Sequence, residues 1–219
     1  MKAWKEDLIK VQAKRAMPIL SFPCVQLMGI TVEALTQDPA LQAQGMKLVA
    51  DRTAACASVS MMDLSVEAEA FGAKAHFMPG EVPTVKEAIV TTPQEAEALK
   101  VPQVGAGRTG KYVEAIRQAC GLITDRPVLA GVIGPYSLAG RLMGVSDIMI
   151  NCYDEPEAVH TVLEKVTAFL CAYVLAYKSA GANGVVIAEP LAGLLSPGLA
   201  AEFSAPYVRR IAQAARSDD

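Results

Sequence analysis

The chain has 219 residues, of which 52% are hydrophobic and 20% are charged, and its formal net charge is −3. This composition supports a sizeable apolar core within one domain and is unlike that of a disordered chain. The negative net charge and the aromatic content of 5% exclude a nucleic-acid binder, because phosphates need clustered Lys and Arg and single strands need aromatic stacking.

Cysteine usage and apolar segments indicate where the protein works. The cysteines are odd in number, widely spaced and without a CxxC motif, which predicts reduced thiols. They are Cys24, Cys56, Cys120, Cys152 and Cys171. The first fifteen residues are too charged for a secretion signal, and the apolar run AFLCAYVLAY is too short to cross a bilayer. We therefore expect a cytoplasmic protein that makes no contact with a membrane.

The predicted elements begin with an amphipathic helix over residues 1–15. Its apolar side carries Trp4, Leu8 and Val11. The apolar run MPILSF then predicts a first strand, which ends at Pro23. Residues 39–56 predict a helix, because Asp38 is a good N-cap and a proline follows it at the first helical position.

A second strand is predicted over ASVSMMDL, and it ends on the carboxylate of Asp63. EAEAF predicts a short helix that Gly72 stops, and AKAHF predicts a brief extended piece. Prolines and glycines are dense over residues 79–110, which predicts an irregular excursion carrying one short helix, TPQEAEAL, capped by Thr91 or Thr92. A helix over residues 111–120 follows.

The rest of the chain repeats the pattern of strand and helix. RPVLAGVIG predicts a third strand that leads into a turn, GPYSLAG, and NGVVIAEP predicts a fourth. Between them, residues 157–179 give the clearest helical pattern, with apolar residues three and four apart on one face. That face carries Val159, Val162, Leu163, Val166, Leu170, Tyr173, Val174 and Tyr177. A last helix is predicted over residues 198–216.

Strands that alternate with helices predict an α/β fold with a parallel sheet, either doubly wound or closed into a barrel. A closed eight-stranded barrel takes about 250 residues, so four strands in this chain amount to half a barrel. We expect one domain over residues 1–219. The sequence contains no GxGxxG and no Walker lysine, and GAGRTG at 105–110 follows a proline-broken loop, so it is a weak candidate for a phosphate cradle.

Polar or special residues follow three of the predicted strands. They are Asp63, the turn from Gly134 to Ser137, and Glu189. Ligands of parallel α/β proteins bind at the carboxyl ends of the strands, so these residues are candidate site residues. Glu189 precedes Pro190, which disfavours helix at that position, and we expect it to handle a proton or contact a ligand. Asp63 could equally be the N-cap of the helix behind it.

The two histidines differ in their surroundings. His160 lies beside the apolar face of the long helix, which favours a structural role, whereas His76 could reach a pocket. Neither has a cysteine or carboxylate at the spacing of metal ligands, and no GxSxG motif is present. Glu67 and Glu69 are two residues apart and diverge on a helix, which argues against a shared carboxylate site there.

From about residue 16 onward, the order of segments resembles a known family. GVIGPYSLAGRLMG, the run from EPEAVH to LLSP, and FSAPYVRRI are similar to the uroporphyrinogen decarboxylase superfamily, whose members are (β/α)8 TIM barrels. MDLSVEAEAFGA, VPTV and GRTGKYVEAI resemble most the corrinoid-dependent methyltransferase branch. That branch moves a methyl group from a methylcobamide to a thiol such as coenzyme M and uses zinc to activate the thiolate.

The resemblance implies a set of site residues at the barrel mouth. Glu189 and Asp63 would be catalytic, and Tyr136, Ser137 and His76 would contact the small-molecule substrate. The pair Glu189-Pro190 resembles a DP pair of the methyltransferases, and Asp63 matches the pyrrole-binding aspartate of the decarboxylases. The methyltransferase reading also implies a corrinoid protein as partner.

Two departures keep other functions open. The zinc ligands of the methyltransferases, a His-x-Cys pair and a later Cys, fall beyond residue 216, and this sequence has no His-x-Cys, so no metal ligand is assigned. A uroporphyrinogen decarboxylase of porphyrin biosynthesis is the alternative, although SFPCVQLMG lacks the arginines of that branch. A third alternative is a non-catalytic half-barrel whose exposed sheet edges pair with another chain or a second copy, giving a homo-oligomer.

Overall fold

The computed structural model describes residues 2–20 and 22–216. The helices are α1 (Lys2–Lys10), α2 (Cys24–Met28), α3 (Val32–Gln37), α4 (Pro39–Arg52), α5 (Val66–Ala70), α6 (Pro93–Ala98), α7 (Thr109–Leu122), α8 (Pro135–Met143), α9 (Val145–Asp154), α10 (Pro156–Ser179), α11 (Pro197–Phe203) and α12 (Ala205–Ala215). The strands are β1 (Ser58–Val59), β2 (Ala75–His76), β3 (Thr84–Val85), β4 (Val128–Ile133) and β5 (Gly184–Ala188). A 3₁₀ helix spans Pro190–Leu194.

Three of the strands form a parallel sheet in the order β1-β4-β5. Val59 pairs with Leu129, and Ile133 pairs with Ala188, so the carboxyl ends of the strands lie at one edge. The central strand β4 is buried along its whole length, whereas every residue of β5 is half-buried. Strands β2 and β3 form a separate antiparallel pair within the predicted excursion.

The side chains of β4 alternate between two apolar clusters. Val128, Ala130 and Val132 join the large core that the helices form on one face of the sheet. Leu129 faces the other side, where a small cluster comprises Ala57, Val59 and Leu129, with Trp4, Met62 and Val186 packed against it. Helix α1 reaches this face because the Trp4 indole N–H donates to the Cys56 carbonyl at 3.2 Å.

Helix α10 forms the centre of the large core. Its predicted apolar face is confirmed, since all eight of the predicted residues are buried. The helix is long and apolar enough to span a membrane by length and composition alone, which corrects the expectation from AFLCAYVLAY. Its most apolar window is 56% buried inside the protein, as in the core helix of a soluble domain.

Local signals position several helix ends as predicted. The Asp38 carboxylate accepts from the Ala40 and Leu41 N–H groups at the start of α4. Thr92 and Glu95 form a capping box at the start of α6, in which each side chain accepts from the other residue's backbone N–H. Gly72 has φ +99° just after Phe71, the C-cap residue of α5, a conformation that favours glycine.

The predicted strand MPILSF is wrong in its described part, residues 17–20 and Phe22, while Ser21 lies outside the described residues. Pro18 has no N–H for a ladder bond, and Met17 and Ile19 are exposed. The parallel sheet of the described chain therefore has three strands where four were predicted. ASVSMMDL forms strand only over Ser58–Val59.

The helices differ from the prediction at several places. The first helix ends at Lys10, which leaves Val11 outside it, and α4 ends at Arg52. GPYSLAG is no turn, since it begins α8 with a proline at its start. The pattern also missed α9. The last predicted helix divides at Ser204, because Pro206 has no N–H to donate to the carbonyl four residues earlier.

Candidate functional site

The carboxyl end of β1 leads to Asp63, whose side chain is fully buried. Its Oδ1 accepts from the Ser65 N–H at 3.1 Å and from the Ser65 hydroxyl at 2.6 Å. Its Oδ2 accepts from the Arg108 guanidinium and from the Tyr112 hydroxyl, the latter at 3.0 Å. Four donors therefore satisfy this carboxylate inside the core, which is the condition for burying a charge without a large penalty.

Arg108 comes from the glycine-rich segment GAGRTG, at the N-cap position of α7. Its Nε donates to Glu69 Oε2 at 2.6 Å, and its Nη2 donates to the Ser65 hydroxyl at 2.9 Å. The guanidinium carbon also lies 5.1 Å from the centroid of the Phe77 ring. The segment thus delivers a buried arginine to two carboxylates, a pairing that no local sequence pattern indicated.

Glu67, in the first turn of α5, is a buried carboxyl group of a different kind. Its Oε1 accepts from the Ile133 N–H at 3.1 Å, at the end of β4, and its Oε2 has no hydrogen-bond partner among the described residues. Burial raises the pKa of Glu67 to about 7, and the charge of Asp63 adds to the rise, while the Ile133 N–H and Arg108 oppose it. Glu67 therefore joins the segment after β1 to the end of β4.

Glu189 directly follows β5, and its carboxylate caps the start of α8. Oε1 accepts from the Tyr136 N–H at 2.7 Å, and Oε2 accepts from the Ser137 N–H at 3.1 Å. The Ser204 hydroxyl donates to Oε1 at 3.3 Å. An anion is stabilised at a helix N-terminus by the free N–H groups and the helix dipole. Burial raises the pKa of Glu189, and these donors oppose the rise.

Two carboxyl groups thus join the carboxyl ends of three neighbouring strands. Glu67 connects the segment after β1 to β4, and Glu189 connects β5 to the chain that leaves β4. Gly134 lies between them, and a Cβ at that position would come within 2.0 Å of a Glu189 oxygen. We call Asp63, Glu67, Arg108 and Glu189 the carboxyl-end cluster.

The predicted substrate contacts occupy different places. The Tyr136 side chain is completely buried in the core, where its hydroxyl lies 3.6 Å from Cys152 Sγ, so only its backbone N–H reaches Glu189. Substrate contact by Tyr136 and Ser137 stays a prediction. The Ser137 hydroxyl accepts from the Leu191 N–H at 3.1 Å and fixes the 3₁₀ helix that follows β5. Catalytic roles for Glu189 and Asp63 stay predictions.

Within the described residues, neither histidine is hydrogen-bonded to the carboxyl-end cluster. His76, in β2, is 2.6 Å from the exposed carboxylate of Glu87, and its contact with substrate stays a prediction. His160 bonds the Tyr207 hydroxyl at 2.8 Å and stacks on Phe203 with ring centroids 4.6 Å apart. His160 therefore helps pack α10 against the last two helices, in agreement with the structural role predicted for it.

The residues present do not fit the zinc centre that the resemblance implies. Within residues 2–20 and 22–216, no three His, Cys, Asp or Glu side chains lie together as a metal-binding group. Asp63 and Glu69 are paired with a guanidinium, which occupies the place that a cation would take. Burial raises the pKa of Cys24 to about 11 and also raises those of Cys120, Cys152 and Cys171, which disfavours the thiolate form that binds zinc.

Parallel strands, helices on the outer face and a polar cluster at the carboxyl ends define an α/β protein of the TIM-barrel type. The particular family follows from the sequence: the chain belongs to the uroporphyrinogen decarboxylase (URO-D) family, whose sequence model matches residues 11–219. The predicted superfamily is thereby confirmed.

Relatives and a solved structure support this assignment. Uroporphyrinogen decarboxylase of Homo sapiens is 30% identical over 164 residues, which are 72% of this chain and 44% of the human protein. The enzyme of the same name from Pseudomonas putida strain KT2440 is 31% identical over 170 residues, 74% of this chain and 47% of that protein. The chain thus spans about half the length of these relatives.

A solved methyltransferase from Methanosarcina mazei has the same fold, with a TM-score of 0.86 and 22% identity. The match covers 94% of this chain and 64% of that one. The likeness confirms the predicted α/β fold of the TIM-barrel type, of which this chain carries part.

Proposed function

We propose that the protein acts in methyl transfer from a methylcobamide to a thiol such as coenzyme M. The observation that carries the proposal is the charge of the carboxyl-end cluster, which consists of carboxyl groups and one arginine that they already hold. Arg108 is buried between Asp63 and Glu69 and is not free to bind a substrate carboxylate. A substrate with many carboxylates, such as a porphyrinogen, would be repelled there.

In the proposed reaction, the thiolate sulfur attacks the methyl carbon, the S–C bond forms as the Co–C bond breaks, and the bonding pair stays with cobalt. The chain's own residues would supply a dry surface for this step. The small cluster of Ala57, Val59 and Leu129, with Val186 packed against it, presents apolar side chains on the face of the sheet opposite the helices. Exclusion of water keeps an anionic sulfur nucleophilic. No step is assigned to zinc, because the residues present do not form its site.

The proposal extends to the surroundings of the reaction. Methylcobamides react while they are held by a corrinoid protein in this branch, so a corrinoid protein is the proposed partner, and a cytoplasmic location suits both the partner and the free thiols.

Binding of methylcobalamin tests the proposal. It can be followed by tryptophan fluorescence, because the chain contains one tryptophan. Trp4 packs against the small cluster of Ala57, Val59 and Leu129 on the same sheet, so a bound corrin is expected to quench its fluorescence by energy transfer, and binding is expected to shift the absorption of the corrin. Cyanocobinamide, which lacks the methyl group and the lower nucleotide, serves as the control ligand. Saturable quenching by methylcobalamin supports the proposal, and the absence of binding at millimolar ligand contradicts it.

A specific observation favours uroporphyrinogen decarboxylase as the second candidate. Arg141 follows Ser137 by four residues in α8, so both lie on one face of that helix, beside the 3₁₀ helix that follows β5. Arg141 is half-buried and could pair with a substrate carboxylate. Release of CO2 from uroporphyrinogen by the purified protein, lost in R141M, would support this candidate against methyl transfer.

A further inference from the structure

The buried carboxyl group of Glu67 is incompletely hydrogen-bonded, and the proposed reaction assigns it no role. One carboxyl oxygen accepts from the Ile133 N–H, while the other is buried with no partner among the described residues. The surrounding space is lined by Met62, Gly131 and Tyr177, among others, and has no room for a water molecule. At such a place the buried charge of an ionised carboxylate would cost much more than a neutral acid, although the acid's hydroxyl would also lack a partner.

Several ionisable groups face Glu67 from the elements around it. Asp63 and Arg108 act on it from the end of β1 and the start of α7, with opposite signs, and they pair with each other. Tyr173 and Tyr177 of α10 lie on another side, where the Tyr177 hydroxyl donates to that of Tyr173 at 2.7 Å. Glu67 raises the pKa of both tyrosines, after burial as the main cause, so both phenols are neutral near pH 7. Arg108 is therefore the cation that acts on Glu67, and it already serves two other carboxylates.

We infer that Glu67 is a positioning residue that works as a neutral carboxylic acid, fixing the carboxyl end of β4 against α5, and that its ionisation loosens this end by favouring openings in which the carboxylate reaches water. The hydrogen bond between Glu67 and Ile133 lies next to the residues whose N–H groups hold Glu189. Ile133 immediately precedes Gly134, and the next N–H groups along the chain bind Glu189. The arrangement of the carboxyl-end cluster thus depends on one proton. This inference concerns the chain's own structure and holds whichever reaction the protein performs.

The direction of the pH effect follows from where the proton is held. The folded protein keeps the proton of Glu67 up to about pH 7, whereas the unfolded chain loses it near the ordinary value of 4.5. The stabilising contribution is therefore complete below about pH 4.5 and is lost as the pH rises to about 7. Relative to a variant without this group, the unfolding equilibrium constant of the wild type should rise by up to about tenfold per pH unit across that window.

The test compares Glu67→Gln, Glu67→Leu and Glu69→Gln with the wild type by denaturant unfolding and amide hydrogen exchange from pH 5 to 8.5. The glutamine amide can accept the Ile133 N–H without ionising, so E67Q should keep the exchange protection of Ile133 above pH 7, where the wild type loses it. E67L should lose that protection at every pH. E69Q removes a neighbouring carboxylate that is partly exposed, and it should leave the pH dependence near 7 unchanged.

Identical pH profiles for the wild type and E67Q would overturn the inference. A glutamate whose protonation state has no structural effect would give the same pH dependence of stability and exchange as glutamine. Should the Glu67 variants fail to fold, carbon NMR of the wild type labelled at its glutamate carboxyl carbons gives an independent measurement. A buried glutamate that titrates near pH 7 supports the inference, and titration of every glutamate below pH 5.5 overturns it.

Discussion

Asp63, Glu67 and Glu189 lie near the ends of neighbouring strands, yet each carboxyl group has different partners. Asp63 is held by a guanidinium and three further donors, Glu67 by one backbone N–H, and Glu189 by two N–H groups and a hydroxyl. The charge of Asp63 is thus paired in the core, whereas Glu67 has no cation of its own. Residue type alone could not distinguish these three roles.

Removal of one member of the buried pair should be strongly destabilising. Arg108→Met leaves the Asp63 carboxylate in the core without its cation, so a loss of about 3–5 kcal/mol in the free energy of unfolding is expected. The matched control is Arg117→Met, which breaks an exposed pair with Glu114 and should cost at most about 1 kcal/mol. Urea unfolding of both variants measures the difference. A similar small loss for the two would show that the buried pair contributes little.

At the scale of elements, helix α8 is fixed by its first turn. Its N–H groups are capped by a side chain from after β5, and a glycine at 134 is needed for the close approach of Glu189. The sequence predicted caps formed by neighbours within four residues, such as Asp38 and Thr92. It missed α8 because the cap lies more than fifty residues away along the chain.

Gly134→Ala should disturb this first turn. The new Cβ would lie 2.0 Å from the Glu189 carboxylate oxygen and 2.9 Å from its Cβ, so the carboxylate must leave the helix N-terminus. A loss of about 1–3 kcal/mol is expected in the free energy of unfolding, with faster amide exchange at Tyr136 and Ser137. Gly193→Ala is the control, since its added Cβ meets no atom within 4 Å. Unchanged exchange in G134A would contradict the proposed cap.

At the scale of the whole molecule, the parallel sheet of the described residues has two open edges, at β1 and at β5. Strand β5 lies at an edge of the described sheet, and its apolar residues Val185, Val186 and Ile187 are half-buried. The alternation of strands and helices predicted the parallel fold, because each of these elements can be recognised from residues that are close together in the sequence. The number of strands was overestimated at MPILSF, since strand formation depends on a partner that sequence alone does not reveal.

The edge at β5 should cause self-association, in line with the homo-oligomer proposed from the sequence. Unpaired N–H and C=O groups beside apolar side chains favour pairing with another strand. Sedimentation velocity at rising concentration is expected to show a dimer or larger species, reduced by Val186→Lys. Leu175→Lys, on the exposed side of α10, is the control and should leave association unchanged. A monomer at every concentration would contradict this expectation.

The most direct test of the account maps where methylcobalamin binds. Hydrogen exchange of the 219-residue chain would be measured with and without the ligand, at pH 6 so that Glu67 keeps its proton. Binding at the carboxyl ends of the strands predicts slower exchange over residues 133–137 and 189–194, with little change in α4 or α12. Protection confined to other parts of the chain, or no protection at a saturating concentration, would contradict the account.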